Sequence, residues 1–167
     1  QPEFTALNRK QKIPFYRDER VSLSESVAIC RYLTHNFSDG QVSVPDSPEA
    51  FAKEDEWCAY IYGEIDETGL YVMRRHGDLG SIYGESPEVS AAAASYVSRH
   101  FEVVADRLAD DNTLMTSGFG LADVLLMSCL DWAIAYGVAL PPALQGYYDC
   151  HNTRPAYQRA MKINYPD

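Results

Sequence analysis

Residues 121–136, LADVLLMSCLDWAIAY, are apolar almost all the way round a helical wheel. Leu121, Ala122, Val124, Leu125, Leu126, Met127, Leu130, Trp132, Ala133 and Ile134 leave no polar face to turn toward water. A helix of this kind is buried on every side, so other helices must surround it. The longer stretch to Leu140 carries two aspartates and reads as a core helix rather than a membrane span. Gly137 is placed to end it. Asp123, near its start, has reciprocal capping as its expected role, the carboxylate reaching back to backbone N–H groups. A catalytic carboxylate is the alternative.

The surrounding helices are legible as stripes. One is expected from about Glu49 to Arg75, with Phe51, Cys58, Ile61, Ile65, Gly69 and Val72 facing the core. A second stripe on it, Trp57, Tyr60, Glu64, Thr68 and Tyr71, mixes rings with polar groups. Such a stripe fits a cleft, a subunit interface or an amphipathic boundary with water. HGDLGSIYGESP reads as a loop, with Ser86 and Pro87 starting the next helix. That helix has Val89, Ala93, Val97, Phe101, Val104 and Leu108 on its core face, and DDNTLMTSGFG breaks it. Two short helices over ALQGYYDCHN and RPAYQRAM close the chain, with Pro155 in the first turn of the second.

The first residues follow a different period. Residues 12–17 and 21–23 read as two strands joined by a tight turn at Asp18–Glu19–Arg20. Ser24 is the expected N-cap of a helix from Glu25 to about His35. FSDGQVSVPDSPE then reads as a linker. The chain therefore divides into residues 1–37, a linker at 38–48, and a helical unit at 49–167, an α+β fold that is mostly α.

The formal net charge is −10, from 24 acidic and 14 basic residues, and the basic ones are dispersed apart from Arg74–Arg75. A polyanion is repelled by such a surface, so nucleic acid and anionic membranes are excluded as partners. Cys30, Cys58, Cys129 and Cys150 form no CxxC pair and the histidines are scattered, so no metal site is expected. The cysteines read as small buried hydrophobes in a reducing cytoplasm. No basic and apolar leader pattern opens the chain.

FTALNRKQKIPFYRDERVSLSESVAICRYL, residues 4–33, resembles the signature F-x-x-L-N-P-x-G-K-(I/V)-P…D…L-x-E-S-x-A-I-x-x-Y-L of the cytosolic glutathione transferase superfamily. FGLADVLL resembles that family's motif at the start of its buried sixth helix, and RPAYQRA resembles a common family ending. The resemblance runs the length of the chain and is nearest to the bacterial members. It departs at Arg9 and Gln11, where Pro and Gly are usual, and at Gly120, where a capping Ser or Thr is usual.

The resemblance implies a partial thioredoxin-like unit, a β-hairpin plus a helix, followed by an all-α bundle. The family's preceding strand–helix–strand unit is not recognisable in the chain. That unit carries the group that activates glutathione's thiol, so the catalytic residue is unknown and expected upstream of Gln1. The remaining glutathione site is implied at Lys12, Ile13, Pro14, Glu25 and Ser26. Ile13 would pair its backbone with the cysteinyl backbone, before a cis Pro14. Ser26 would hold the γ-glutamyl carboxylate and Glu25 its ammonium group, with Lys12 reaching a glutathione carboxylate. Trp57, Tyr60 and Tyr71 are the expected hydrophobic substrate site, and Asp66 or Glu64 is expected near glutathione. The implied activity is conjugation of the glutathione thiolate to a small hydrophobic electrophile, by a cytoplasmic homodimer engaged in detoxification. The alternatives are a non-catalytic interaction module, or a glutathione-dependent isomerase, peroxidase or dehalogenase on the same fold.

Overall fold

The computed structural model describes residues 2–108 and 112–166. Helix α1 (Pro2–Leu7) opens the chain, and Phe4 packs edge-on against Phe15 with ring centroids 6.1 Å apart. Phe15 begins β1 (Phe15–Arg17), which pairs antiparallel with β2 (Ser22–Ser24), Tyr16 opposite Leu23. The ladder is shorter than expected: residues 12–14 precede it, and Pro14 has no N–H to offer. Asp18 makes the turn. Its Oδ1 accepts from the Arg20 and Val21 amides at 2.8 Å each, and its Oδ2 accepts from the hydroxyls of Tyr16 at 3.0 Å and Tyr32 at 2.8 Å. The Tyr32 bond is the largest cause that lowers the Asp18 carboxyl to about 2. Because Tyr32 lies on α2 (Ser26–Phe37), this acid ties hairpin to helix.

Ser24 does not cap α2. It ends β2, paired with Phe15, so its backbone is already committed to the sheet. The N-cap is Glu25, which supplies no side-chain cap.

The helical unit begins with α3 (Pro48–Tyr60), capped by Ser47 Oγ accepting from Ala50 N at 3.2 Å. The expected long helix does run on to His76, but residues Ile61–Leu70 form a π-helical segment before α4 (Tyr71–His76). Thr68 Oγ1 donates to Gly63 O, five residues back, at 2.6 Å, in keeping with the wider turn. The wider turn also moves the core face. Cys58, Ile61, Ile65 and Gly69 are buried as expected, but Leu70 and Met73 continue the face, while Phe51 and Val72 are only partly covered.

A single helical turn, α5 (Gly80–Tyr83), lies within the stretch expected as a loop. In α6 (Pro87–Leu108) Ala93, Val97, Phe101, Val104, Ala105 and Leu108 are buried, whereas Val89, near the open end, is exposed. The break expected after α6 includes residues 109–111, which lie outside the described residues. The central helix α7 (Leu121–Ala135) buries Leu126 and Leu130 completely and packs on the π segment and α3. The helix is not buried on every side as expected: Ser128, Ala135 and Ile134, the last 43% exposed, are open and Val124 and Trp132 half-buried, where they border a cleft of about 1280 Å3 between α2, α7 and the last helix. Helices α8 (Pro142–His151) and α9 (Pro155–Asn164) finish the chain. Cys58 and Cys129 are buried, but Cys30 is only half-buried and Cys150 is exposed, because its position on α8 faces away from the core. No described helix is long and apolar enough to cross a membrane.

Candidate functional site

The loop between α1 and β1 is built around Asn8, which is buried. Its amide donates to Lys12 O at 2.7 Å, and its carbonyl oxygen accepts from Lys10 N at 3.1 Å. Gln11 takes a φ of 54° to complete the bend. A non-glycine residue pays roughly 1–2 kcal/mol for that conformation, at the position where the family resemblance leads one to expect Gly. The loop delivers Ile13 and Pro14, joined by a cis peptide bond, to the start of β1. The Ile13 side chain is 86% exposed, so this edge of the hairpin stands open.

Glu25 and Ser26 meet at the start of α2. Glu25 has φ 114° and ψ 123°, a conformation rarely adopted by L-residues. Its carboxylate pairs with Lys10 and accepts from the Tyr62 hydroxyl at 3.3 Å. The Lys10 contact is the leading reason the Glu25 carboxyl is held below its ordinary range. Ser26 is the first residue of the helix, whose opening N–H groups have no side-chain acceptor. A helix N-terminus with a hydroxyl favours a carboxylate, and the neighbouring Glu25 favours an ammonium. The corner is thus complementary to the zwitterionic end of an amino acid.

Lys12 places its ammonium 5.5 Å from the centre of the Tyr71 ring. Trp57 and Tyr60 have other partners. They pack edge-on with centroids 5.8 Å apart, and the Tyr60 hydroxyl lies 2.7 Å from His100 Nδ1 on α6. Glu64 joins this second group by accepting from the Tyr96 hydroxyl. The three rings expected to line one substrate site therefore fall into two groups. Each π-helical residue advances round the axis by less than an α-helical one, so the ten residues from Ile61 to Leu70 carry Tyr71 off the stripe that holds Trp57 and Tyr60. Asp66, inside the π segment, has its carboxyl raised to about 6, chiefly by burial and then by Glu67.

Asp123 stands apart from this corner. It is fully buried; Oδ2 accepts from Gly120 N at 2.9 Å, and Oδ1 accepts from Leu114 N at 2.9 Å and the Tyr147 hydroxyl at 2.8 Å. Burial pushes its carboxyl up while these bonds pull it down. Gly120 has no hydroxyl to complete a reciprocal box, and Glu54 fills that place from α3. Glu54 is 2% exposed; Oε1 accepts from Leu121 N at 3.1 Å, and Oε2 pairs with Arg31 Nη1 of α2 at 3.0 Å. Arg31 also pairs with Asp55. One chain of charges thus links α2, α3 and the start of α7.

Asn8, Lys10, Tyr62 and Glu54 are the residues that sequence reasoning missed. Glu54 had a signal: it lies four residues before Cys58 on the core stripe, where an acid needs a partner. Tyr62 had none, because its partner Glu25 is distant in the chain.

The family described as the N-terminal domain of glutathione S-transferase matches residues 1–41. Glutathione S-transferase theta-1 of Rattus norvegicus is 27% identical over 151 residues, covering 87% of this chain and 63% of the relative. The chain thus spans less than two thirds of the length of the curated relatives it matches. A glutathione S-transferase from Xylella fastidiosa superposes with a TM-score of 0.81 at 23% identity, covering 98% of this chain and 80% of that one. A glutathione transferase from Pseudomonas putida, solved with one glutathione disulfide per subunit, also gives 0.81 at 23% identity, covering 100% of this chain and 75% of its own. The fold is that of a glutathione transferase: part of a thioredoxin-like domain followed by a helical domain. Residues 1–41 match the glutathione S-transferase N-terminal domain, and the chain as a whole is similar to glutathione transferases in fold.

Proposed function

We propose that the protein is a glutathione transferase that joins glutathione to a small hydrophobic electrophile, acting as a cytoplasmic homodimer in detoxification. The observation that carries this reading is the corner where Glu25, in its rare conformation, adjoins the uncapped start of α2 at Ser26. That corner takes the γ-glutamyl end. The backbone of Ile13 takes the cysteinyl backbone as an added strand would, and Lys12 serves a glutathione carboxylate.

The chemistry is nucleophilic substitution or addition at carbon. The thiol proton leaves to solvent, the thiolate pair forms the new C–S bond, and a leaving group departs with its electron pair or an adjacent double bond accepts it. The residues of this chain contribute binding and orientation, which turn a bimolecular encounter into a held one.

Isothermal titration with glutathione, repeated with S-hexylglutathione as competitor, tests the site. Saturable heat that the competitor abolishes is expected, with affinity falling about tenfold in Ser26→Ala for the loss of a hydroxyl and charge-assisted contact. No heat with either ligand contradicts the reading. Turnover of 1-chloro-2,4-dinitrobenzene by the full-length protein above the free-thiol rate separates a transferase from a non-catalytic module.

A further inference from the structure

Beside the Ile13 edge, cations and rings alternate. Lys12 Nζ lies 5.5 Å from the Tyr71 ring centre, and the Arg75 guanidinium lies 5.8 Å from Tyr71 and 4.6 Å from Tyr83. The connection after α4 folds back to allow this: Leu79 N donates to Arg74 O at 3.0 Å, and His76 Nδ1 lies 2.9 Å from Gly84 O. Tyr83, 44% exposed, is thereby laid over Arg75.

Among the described residues neither Lys12 nor Arg75 has a salt-bridge partner. Glu25 acts on Lys12 through space but forms no salt bridge with it. In a chain of net charge −10, two basic residues meet here around one ring. The rings partly stabilise the two cations, and among the described residues the Arg75 N–H groups have no hydrogen-bond acceptor. Those groups form a planar fork that matches a carboxylate.

We propose that Tyr71, Arg75 and Tyr83, beside Lys12, form the acceptor-selecting subsite, and that it takes a planar aromatic electrophile bearing a carboxylate. The inference rests on the glutathione transferase reading, since Lys12 adjoins Ile13, where the cysteinyl unit is proposed to lie. The electrophile's ring packs against Tyr83, 44% exposed, and its acid group meets the Arg75 guanidinium, which leaves Lys12 to the glutathione carboxylate. The subsite deepens the proposed function by replacing "hydrophobic electrophile" with an aromatic acid.

The probes are two conjugates, S-(2,6-dinitrophenyl)glutathione and its ring-carboxylated analogue S-(4-carboxy-2,6-dinitrophenyl)glutathione, titrated calorimetrically at low and high salt. The wild-type protein is expected to bind the carboxylated conjugate about tenfold more tightly at low salt, the factor shrinking as salt screens it. In Arg75→Gln the preference falls to within about twofold while affinity for glutathione itself is unchanged; Arg75→Lys keeps part of it. Equal binding of the two conjugates by the wild type, or an undiminished preference in Arg75→Gln, overturns the subsite. Turnover of the two chloro precursors is measured alongside. A binding preference without turnover of either precursor by the full-length protein sinks the transferase reading and leaves the binding subsite standing. Failure to bind glutathione and both conjugates sinks both.

Discussion

Replacing Gly120 by Ser restores the residue type usual at this cap, and general capping preferences assign it a gain of a few tenths of a kcal/mol. The structure reverses that sign. A Cβ at Gly120 lies 2.7 Å from Glu54 Oε1. The backbone is not the obstacle, because φ is −118° and accepts any L-residue. Oε1 ends a flexible side chain and can rotate away, so the cost is what it leaves behind. The buried Leu121 N–H loses its acceptor, worth about 1–3 kcal/mol, and the Arg31 pair is loosened. The new hydroxyl returns only a few tenths of a kcal/mol. Gly120→Ser is therefore expected to destabilise the protein by about 1–3 kcal/mol, read as a lower urea midpoint with an unchanged slope. In a Glu54→Ala background the serine has room and an unsatisfied helix start to cap, so the same change should stabilise by a few tenths of a kcal/mol. If Gly120→Ser is as stable as wild type, or acts identically in both backgrounds, the assignment of Glu54 as the cap of α7 is wrong.

Three further outcomes follow from particular contacts. A carboxyl that titrates higher in the folded than in the unfolded chain binds more protons when folded, so Asp66 costs stability as pH rises from about 4 to about 6, and the cost is constant above that. Asp66→Asn should thus be more stable than wild type at pH 7 by about 1–3 kcal/mol, the gain fading toward pH 4; a gain that does not change with pH contradicts the burial of this group. Gly69 lets the π segment approach α6 so closely that a Cβ would overlap Val97 Cγ2. Gly69→Ala should cost about 1–3 kcal/mol in thermal unfolding and be partly rescued by Val97→Ala; a neutral Gly69→Ala would disprove the close approach. Glu25→Gln should weaken glutathione binding about tenfold in calorimetry through loss of the ammonium's counter-charge, and unchanged affinity would remove Glu25 from the site.

What could be read from the chain was what is local. The all-apolar period of residues 121–135 announces α7, and the alternation on either side of Asp18 announces the hairpin. The Glu25–Ser26 pair was visible as a motif, but its conformation was not, since Ser24 offers an equally good cap until the pairing of Ser24 with Phe15 is known. The π segment escaped because a 3.6-residue period fits Cys58, Ile61 and Ile65 well, and the slip shows only at Leu70 and Met73. That slip is also why Tyr71 sits with Lys12 rather than with Tyr60. Glu54, Lys10 and Tyr62 find their partners far along the chain, where periodicity carries no information.

The most direct test of the glutathione site is a backbone amide map of the protein titrated with reduced glutathione. Shifts concentrated at Ile13, Ser26 and Val27, saturating together and reversed by S-hexylglutathione, are predicted. Saturable shifts that leave those amides in place, or none at millimolar ligand, would contradict the account.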